Sequence, residues 1–200
     1  MQLEKKDLSN IVTIGQVDDK FIATLLNGEY LCLFDQHALH ERIRLERLLS
    51  EHFTSVQEVL KGEPEHPVPL YIGATEVQKK NDILNVGIVN LQYYFLQQRI
   101  LLEYPEKVRR FGLSLERDLS SECLRANLVP ACFLQRQASE NFFKRPSQLQ
   151  SLVSELALEL VQTLIDTKGA ICVLPRAILN VINSQACRGT IFQRFYCSQP

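Results

Sequence analysis

The feature that most constrains the fold is the junction at Asp35, where a short apolar segment gives way to a charged one. Leu31 to Phe34 is a continuous apolar run, which is typical of a buried strand. Beyond the junction, apolar residues recur at helical spacing, at Leu45, Leu48, Leu49 and Phe53. The pattern predicts a strand that ends near Asp35 and a helix over about 36–53.

The same junction carries three side chains that could hold a metal ion. Asp35 falls near the N-cap of the predicted helix, and His37 and Glu41, four residues apart, share one face of it. Two carboxylates and an imidazole suit a divalent ion that activates water or polarises phosphate oxygens. The alternative is that Asp35 only caps the helix and that His37 and Glu41 are solvated, paired with Arg42 or Arg44. The spacing leaves both interpretations open.

Three strands are predicted to precede the junction. Ile11 to Val17 and Phe21 to Leu26 are β-branched and apolar runs separated by three polar residues, as in a hairpin. Asn27-Gly28 then precedes the next apolar run, and this dipeptide favours a type I′ turn because both residues tolerate positive φ. We expect an antiparallel sheet that leads into the Asp35 junction.

The rest of the chain indicates an α+β domain without internal repeats. Residues 61–69, with three prolines and a glycine, predict an irregular linker. The pattern further predicts small helices over 74–86 and 108–112, strands over 113–116, 124–133 and 170–174, an amphipathic helix over 148–166, and a helix that begins at Pro175 and ends at Gly189.

Composition excludes several classes of protein. The chain is 46% hydrophobic and 22% charged without a long apolar run, which is typical of a globular protein rather than a membrane span. The net charge of −1 provides no large basic field, so any DNA contact would be local or shared with a partner. Residues 1–7 lack the apolar segment of a secretory signal, so we expect a reducing compartment and six cysteine thiols.

The histidines and cysteines outside the junction suggest no second site. His52 and His66 are expected to be solvated. No two cysteines have C-x-x-C spacing, and Cys32, Cys132 and Cys172 lie in apolar runs, where a thiol behaves as a small hydrophobe. Cys197 is four residues from the end but lacks the aliphatic pair of a prenylation motif.

Two separated motifs resemble the C-terminal domain of MutL-homologue DNA mismatch repair proteins. The first is Asp35-Gln36-His37-Ala38-x-x-Glu41-Arg42-x-x-x-Glu46, and the second is Ser184-Gln185-Ala186-Cys187-Arg188. Gly15-Gln16-Val17 also lies where the family places its entry strand. The resemblance covers roughly residues 11–190. The first motif and 129–133 look most similar to the third eukaryotic homologue, the MutL-gamma subunit associated with meiotic crossing-over.

The resemblance implies an α+β fold in two parts. An antiparallel or mixed sheet with helices would form a dimerisation subdomain, 10–69 and 167–200, which carries the metal site. Residues 70–166 would form a smaller external, regulatory α+β subdomain, and residues 1–9 a flexible tail. The domain would pair with another MutL homologue, typically the common eukaryotic partner subunit, in the nucleus. No membrane and no nucleotide are implied for this segment.

The resemblance also implies an activity, the metal-dependent nicking of one DNA strand. Asp35 and Glu41 would be catalytic, and His37 and Cys187 would join them as metal ligands. Manganese or magnesium would serve nicking, and zinc a structural or regulatory role. The remaining motif residues would support the site: Gln36, Arg42, Glu46 and Arg188.

The sequence departs from the family pattern after the second motif. The family completes its metal site with a Cys-Pro-His-Gly-Arg-Pro segment, whereas this sequence runs from Gly189 to Pro200 without it, and no histidine follows His66. Cys197 cannot be carried over, because it comes too soon after Cys187. The alternative function is therefore a non-catalytic dimerisation module with an incomplete metal site.

Overall fold

The computed structural model describes residues 9–55, 58–70, 87–118, 124–170 and 173–193. The chain divides into two compact units. Unit 1 comprises Met1–Leu48 and Ser184–Pro200, and unit 2 comprises Leu49–Asn183. The predicted subdomain boundaries at 69/70 and 166/167 stay predictions.

Unit 1 contains a three-stranded antiparallel sheet in the order β1 (Ile11–Val17), β2 (Phe21–Leu26), β3 (Tyr30–Asp35). Asn27 and Gly28 have φ of 53° and 74°, as a type I′ turn requires, and Glu29 N donates to Leu26 O at 3.1 Å. The β1–β2 turn likewise has two aspartates at positive φ. The strands and the Asn-Gly turn predicted from the sequence are confirmed.

Helix α1 (Gln36–His52) follows β3 without a loop, and helix α6 (Arg176–Gln193) contributes its residues from Ser184 onward to unit 1. The predicted strand-to-helix junction at Asp35 is confirmed. The predicted end of α6 at Gly189 is wrong, because the helix continues to Gln193. One glycine inside a helix lowers its stability by only about 1 kcal/mol, which the neighbouring residues can offset.

Unit 2 is built around β9 (Leu124–Pro130). This strand pairs antiparallel with β6 (Lys61–Gly62), β7 (Val68–Leu70) and β8 (Ser114–Arg117). A separate short ladder joins β4 (Phe53–Ser55) to β5 (Glu58–Val59). The prediction of an irregular linker over 61–69 is therefore wrong for the residues at its two ends, which belong to β6 and β7. Its prolines still allow short strands, because such strands need few backbone donors.

The described helices of unit 2 pack on this sheet or on one another. They are α2 (Gly87–Glu103), α3 (Pro105–Arg110), α4 (Ala131–Phe142), α5 (Leu149–Asp166) and the first half of α6. The amphipathic helix predicted over 148–166 is confirmed as α5, and its buried stripe includes Leu156 and Leu160. Together the sheets and helices confirm the α+β class.

One apolar segment was predicted wrongly, and one helix was not predicted. The run 124–133 is not one strand: it turns at Pro130 into α4, which begins at Ala131. Proline cannot donate to a ladder, but its fixed φ suits the entry to a helix. Helix α2 was not predicted, because its apolar residues show no single face. The predicted helix over 74–86 lies outside the described residues.

The remaining predicted elements lie partly outside the described residues. Of the strand predicted over 170–174, the described positions 170, 173 and 174 are not in a strand, and 171–172 lie outside the described ranges. The N-terminal tail to residue 8 also lies outside them, as do Cys123, Cys172 and Cys197. Of the helices described, none is long and apolar enough to cross a membrane.

Candidate metal centre and apolar sheet face

Asp35 ends β3 and caps α1. Its Oδ1 accepts a hydrogen bond from Ala38 N at 3.0 Å, which satisfies one of the unpaired N–H groups at the helix start. Gln36, the next residue, is held by two bonds: its backbone N donates to Lys20 O at 2.8 Å, and its Oε1 accepts from Gln16 Nε2 at 3.0 Å. The predicted cap is confirmed, and it fixes the carboxylate at the exposed end of the sheet.

His37 and Glu41 lie one helical turn apart on α1, the first exposed and the second half-buried. Arg42 Nε donates to Glu46 Oε1 at 2.8 Å, and both side chains are exposed. Exposed i,i+4 pairs contribute a few tenths of a kcal/mol. Two of the supporting motif residues therefore pair with each other along the helix.

Cys187 is exposed on α6 and belongs to the same compact unit as Asp35, His37 and Glu41. Arg188 follows it on the same helix. Within the described ranges, no three His, Cys, Asp or Glu side chains lie together in an arrangement that could hold a metal ion. The donor chemistry of the four residues, carboxylate, imidazole and thiol, suits a divalent ion, and their assignment as ligands stays a prediction.

An exposed apolar surface covers one face of the sheet in unit 1. The strand register places Leu25 of β2 between Val12 and Leu31, and Ala23 between Gly15 and Leu33. Because side chains opposite one another in neighbouring strands share a face, these residues form one surface. Val12, Leu31 and Leu33 are 64%, 66% and 56% exposed, whereas Ala23 of the central strand is buried. We call this surface the apolar sheet face.

The opposite face of the same sheet is partly covered. Thr24 and Leu26 of β2 are buried, and Cys32 and Phe34 of β3 are half-buried. The prediction that 31–34 is a buried strand is therefore wrong for the chain alone. A continuous apolar run is typical of a strand covered on both faces, and here only one of its faces is covered.

Comparison with known proteins connects these features to a family, although no protein-family model matches the chain. The chain is 30% identical over 195 residues, 92% of its length, to the human DNA mismatch repair protein Mlh3. It is 28% identical over 195 residues, 94% of its length, to DNA mismatch repair protein MLH3 of Arabidopsis thaliana. The predicted resemblance to MutL homologues is confirmed: the chain is Mlh3-like. It spans 12% and 14% of the lengths of these two relatives.

The N-terminus of α6 is held by a carboxylate that sequence reasoning did not single out. Glu159 of α5 accepts hydrogen bonds from Arg176 N at 2.6 Å and from Ala177 N at 3.0 Å. A carboxylate at a helix N-terminus satisfies unpaired N–H groups and favours the helix dipole. Glu159 therefore supports the start of the helix that carries Cys187.

His52 corrects a prediction. This residue, expected to be solvated, is 1% exposed at the end of α1, and its Nε2 lies 3.1 Å from Gln135 Oε1. Among the described residues its Nδ1 has no hydrogen-bond partner, and burial lowers the pKa of the imidazole. A neutral His52 that donates from Nε2 to Gln135 fits both observations. His66 is exposed, as predicted.

Proposed function

We propose that this Mlh3-like domain nicks one strand of DNA in a metal-dependent reaction, as one subunit of a MutL heterodimer in the nucleus that serves mismatch repair and meiotic recombination. The observation that carries the proposal is the ordered junction: Asp35 is fixed by its cap, and His37 and Glu41 follow it on the first turns of α1. Similarity to proteins named for DNA mismatch repair supports the substrate.

The proposed roles follow from the side-chain chemistry. Asp35 and Glu41 would hold a manganese or magnesium ion, which when bound supplies a hydroxide nucleophile and neutralises charge on the phosphate. His37 and Cys187 favour zinc in a structural or regulatory position. Asp35 Oδ1 is used by the cap, so the carboxylate would offer its second oxygen to the ion.

The apolar sheet face supports the proposed heterodimer. Val12, Leu31 and Leu33 form a contiguous apolar surface on a sheet whose other face is already partly covered. Contiguous exposed apolar surfaces mark sites of protein interaction. We propose that another MutL homologue, the common eukaryotic partner subunit, covers this face.

Nicking of supercoiled plasmid by the heterodimer, in the presence of manganese, tests the activity. The expected result is conversion to open circles that is lost in Asp35→Asn and Glu41→Lys. Glu29→Lys is the matched charge reversal, since Glu29 is exposed in a turn of the same unit. Nicking that survives both motif substitutions, or that Glu29→Lys abolishes equally, would overturn the assignment.

Co-purification with the partner subunit's C-terminal domain tests the surface. Leu31→Glu combined with Leu33→Glu should abolish the complex, because two charges would be buried without partners. Leu158→Glu, on the exposed side of α5 in unit 2, is the control. A complex that forms normally with the double variant would show that the partner binds elsewhere.

A further inference from the structure

The end of α4 and the loop that leads to α5 present two aromatic rings to solvent. We call residues 142–148 the aromatic loop. Phe142 is 81% exposed and Phe143 46% exposed, and the two rings meet edge to face with centroids 5.1 Å apart. Phe142 is the most exposed of the large hydrophobic side chains in the described ranges. Exposed aromatic residues beside polar ones are typical of binding surfaces.

Two cations follow the rings directly. The Arg145 guanidinium carbon lies 5.7 Å from the centroid of the Phe143 ring, and Lys144 is exposed. Lys144 has a φ of 54°, a left-handed conformation that favours glycine. Lys144 thus places a cation next to the rings in the sequence, in a backbone conformation that glycine adopts more readily. No aspartate or glutamate occurs in 141–149.

The nearest carboxylate in the sequence is engaged in holding the loop in place. Glu140 is 5% exposed; its Oε1 accepts from Arg136 Nε at 3.0 Å, and its Oε2 accepts from Gln148 N at 3.0 Å. The backbone N of Arg145 also donates to Glu140 O at 2.8 Å. The loop is anchored at both ends, so a ligand would meet preorganised side chains.

We propose that the aromatic loop binds single-stranded nucleic acid. Phe142 stacks on an unpaired base, and Lys144 and Arg145 contact the neighbouring phosphates. Aromatic rings beside cations are the two elements of sequence-tolerant single-strand binding, because every base has a π face and every nucleotide a phosphate. With a net charge of −1, the chain has no broad basic field, so a contact made by this chain itself would rest on a local cluster of this kind. The site lies in unit 2 and needs no metal, so it extends beyond the nicking activity.

Fluorescence anisotropy with fluorescein-labelled oligo(dT) tests this, using the full 200-residue chain in buffer that contains EDTA. Phe142→Ala should weaken binding by about five-fold or more, the loss expected for one stacked base. Lys144→Gly should lower the slope of log affinity against log salt by about 0.7, the value for one phosphate contact on a single strand. Lys168→Gly is the matched control, because Lys168 also has positive φ at the end of a helix, with no aromatic pair beside it.

The proposal is overturned if the wild-type chain does not bind oligo(dT), if Phe142→Ala leaves the affinity unchanged, or if Lys168→Gly changes the salt slope as much as Lys144→Gly. A duplex of the same length separates stacking from charge: Phe142→Ala should leave duplex binding unchanged, and an equal loss on duplex contradicts stacking on an unpaired base. Because EDTA removes any metal, this result is independent of the outcome of the nicking assay.

Discussion

Removing the Glu159 carboxylate should destabilise the start of α6. The substitution Glu159→Ala leaves Arg176 N and Ala177 N, now 2.6 and 3.0 Å from the two carboxylate oxygens, without their acceptors. Hydrogen bonds to a charged group contribute about 1.5–3 kcal/mol each when buried. Arg176 N is near the surface, where water replaces the lost acceptor, so the expected decrease in the free energy of unfolding is about 2 kcal/mol.

Glu159→Gln separates charge from hydrogen bonding. The amide keeps one acceptor oxygen and loses the charge that favours the helix dipole, so the expected decrease is about 1 kcal/mol. Glu155→Ala is the matched control, because Glu155 is exposed one turn earlier in the same helix. Its substitution should change the free energy of unfolding by less than about 0.5 kcal/mol.

Urea denaturation followed by far-UV circular dichroism measures these differences, since the chain contains no tryptophan. In a thermal scan, Glu159→Ala should lower Tm by about 4–8 °C. A Glu159→Ala variant that unfolds within error of Glu155→Ala would refute the reasoning, as it would show that the two N–H groups are satisfied equally well by water.

Three further predictions follow from the described side chains. Asp35→Ala should lower the free energy of unfolding by about 1 kcal/mol through loss of the bond from Ala38 N, and Asp35→Asn by only a few tenths, measured by urea denaturation. Burial lowers the pKa of His52 from its ordinary 6.5, so the unfolded chain binds the proton more readily than the folded chain. The stability that goes with a neutral His52 is therefore fully present above pH 6.5, and the free energy of unfolding decreases as the pH falls towards the folded-state pKa. Unfolding curves between pH 5.5 and 7.5 should show this slope, and His52→Gln should remove it. Burial raises the pKa of Cys132 to about 12, so iodoacetamide followed by peptide mass mapping should label exposed Cys187 long before Cys132, and equal rates would contradict the burial.

Local turn chemistry and strong periodicity made much of the fold predictable. Asn27-Gly28 sets its own backbone conformation, so the β2–β3 hairpin depends on two neighbouring residues. The stripe of α5 repeats over several turns, and one face of it must be buried wherever the helix packs. Asp35 caps α1 through a bond that spans three residues, which sequence reasoning can anticipate.

Features that depend on distant residues were not predictable. His52 is buried beside Gln135, which lies 83 residues further along the chain, and no pattern near a helix end reveals such a partner. Glu159 caps α6 from another helix, so the usual search for a capping residue just before the helix does not find it. The apolar run 31–34 correctly indicated a strand, but the sequence alone could not separate the face covered within the chain from the face left exposed.

The central claim is that Asp35, His37, Glu41 and Cys187 act together as a metal centre. Its most direct test is the metal content of the purified heterodimer, measured by mass spectrometry of zinc and by manganese titration. We predict stoichiometric zinc that is lost in Cys187→Ala, and manganese binding that is lost in Glu41→Lys and kept in Glu29→Lys. Metal contents that are unchanged by Cys187→Ala and Glu41→Lys, or a heterodimer that binds neither metal, would contradict the account and leave a non-catalytic dimerisation module.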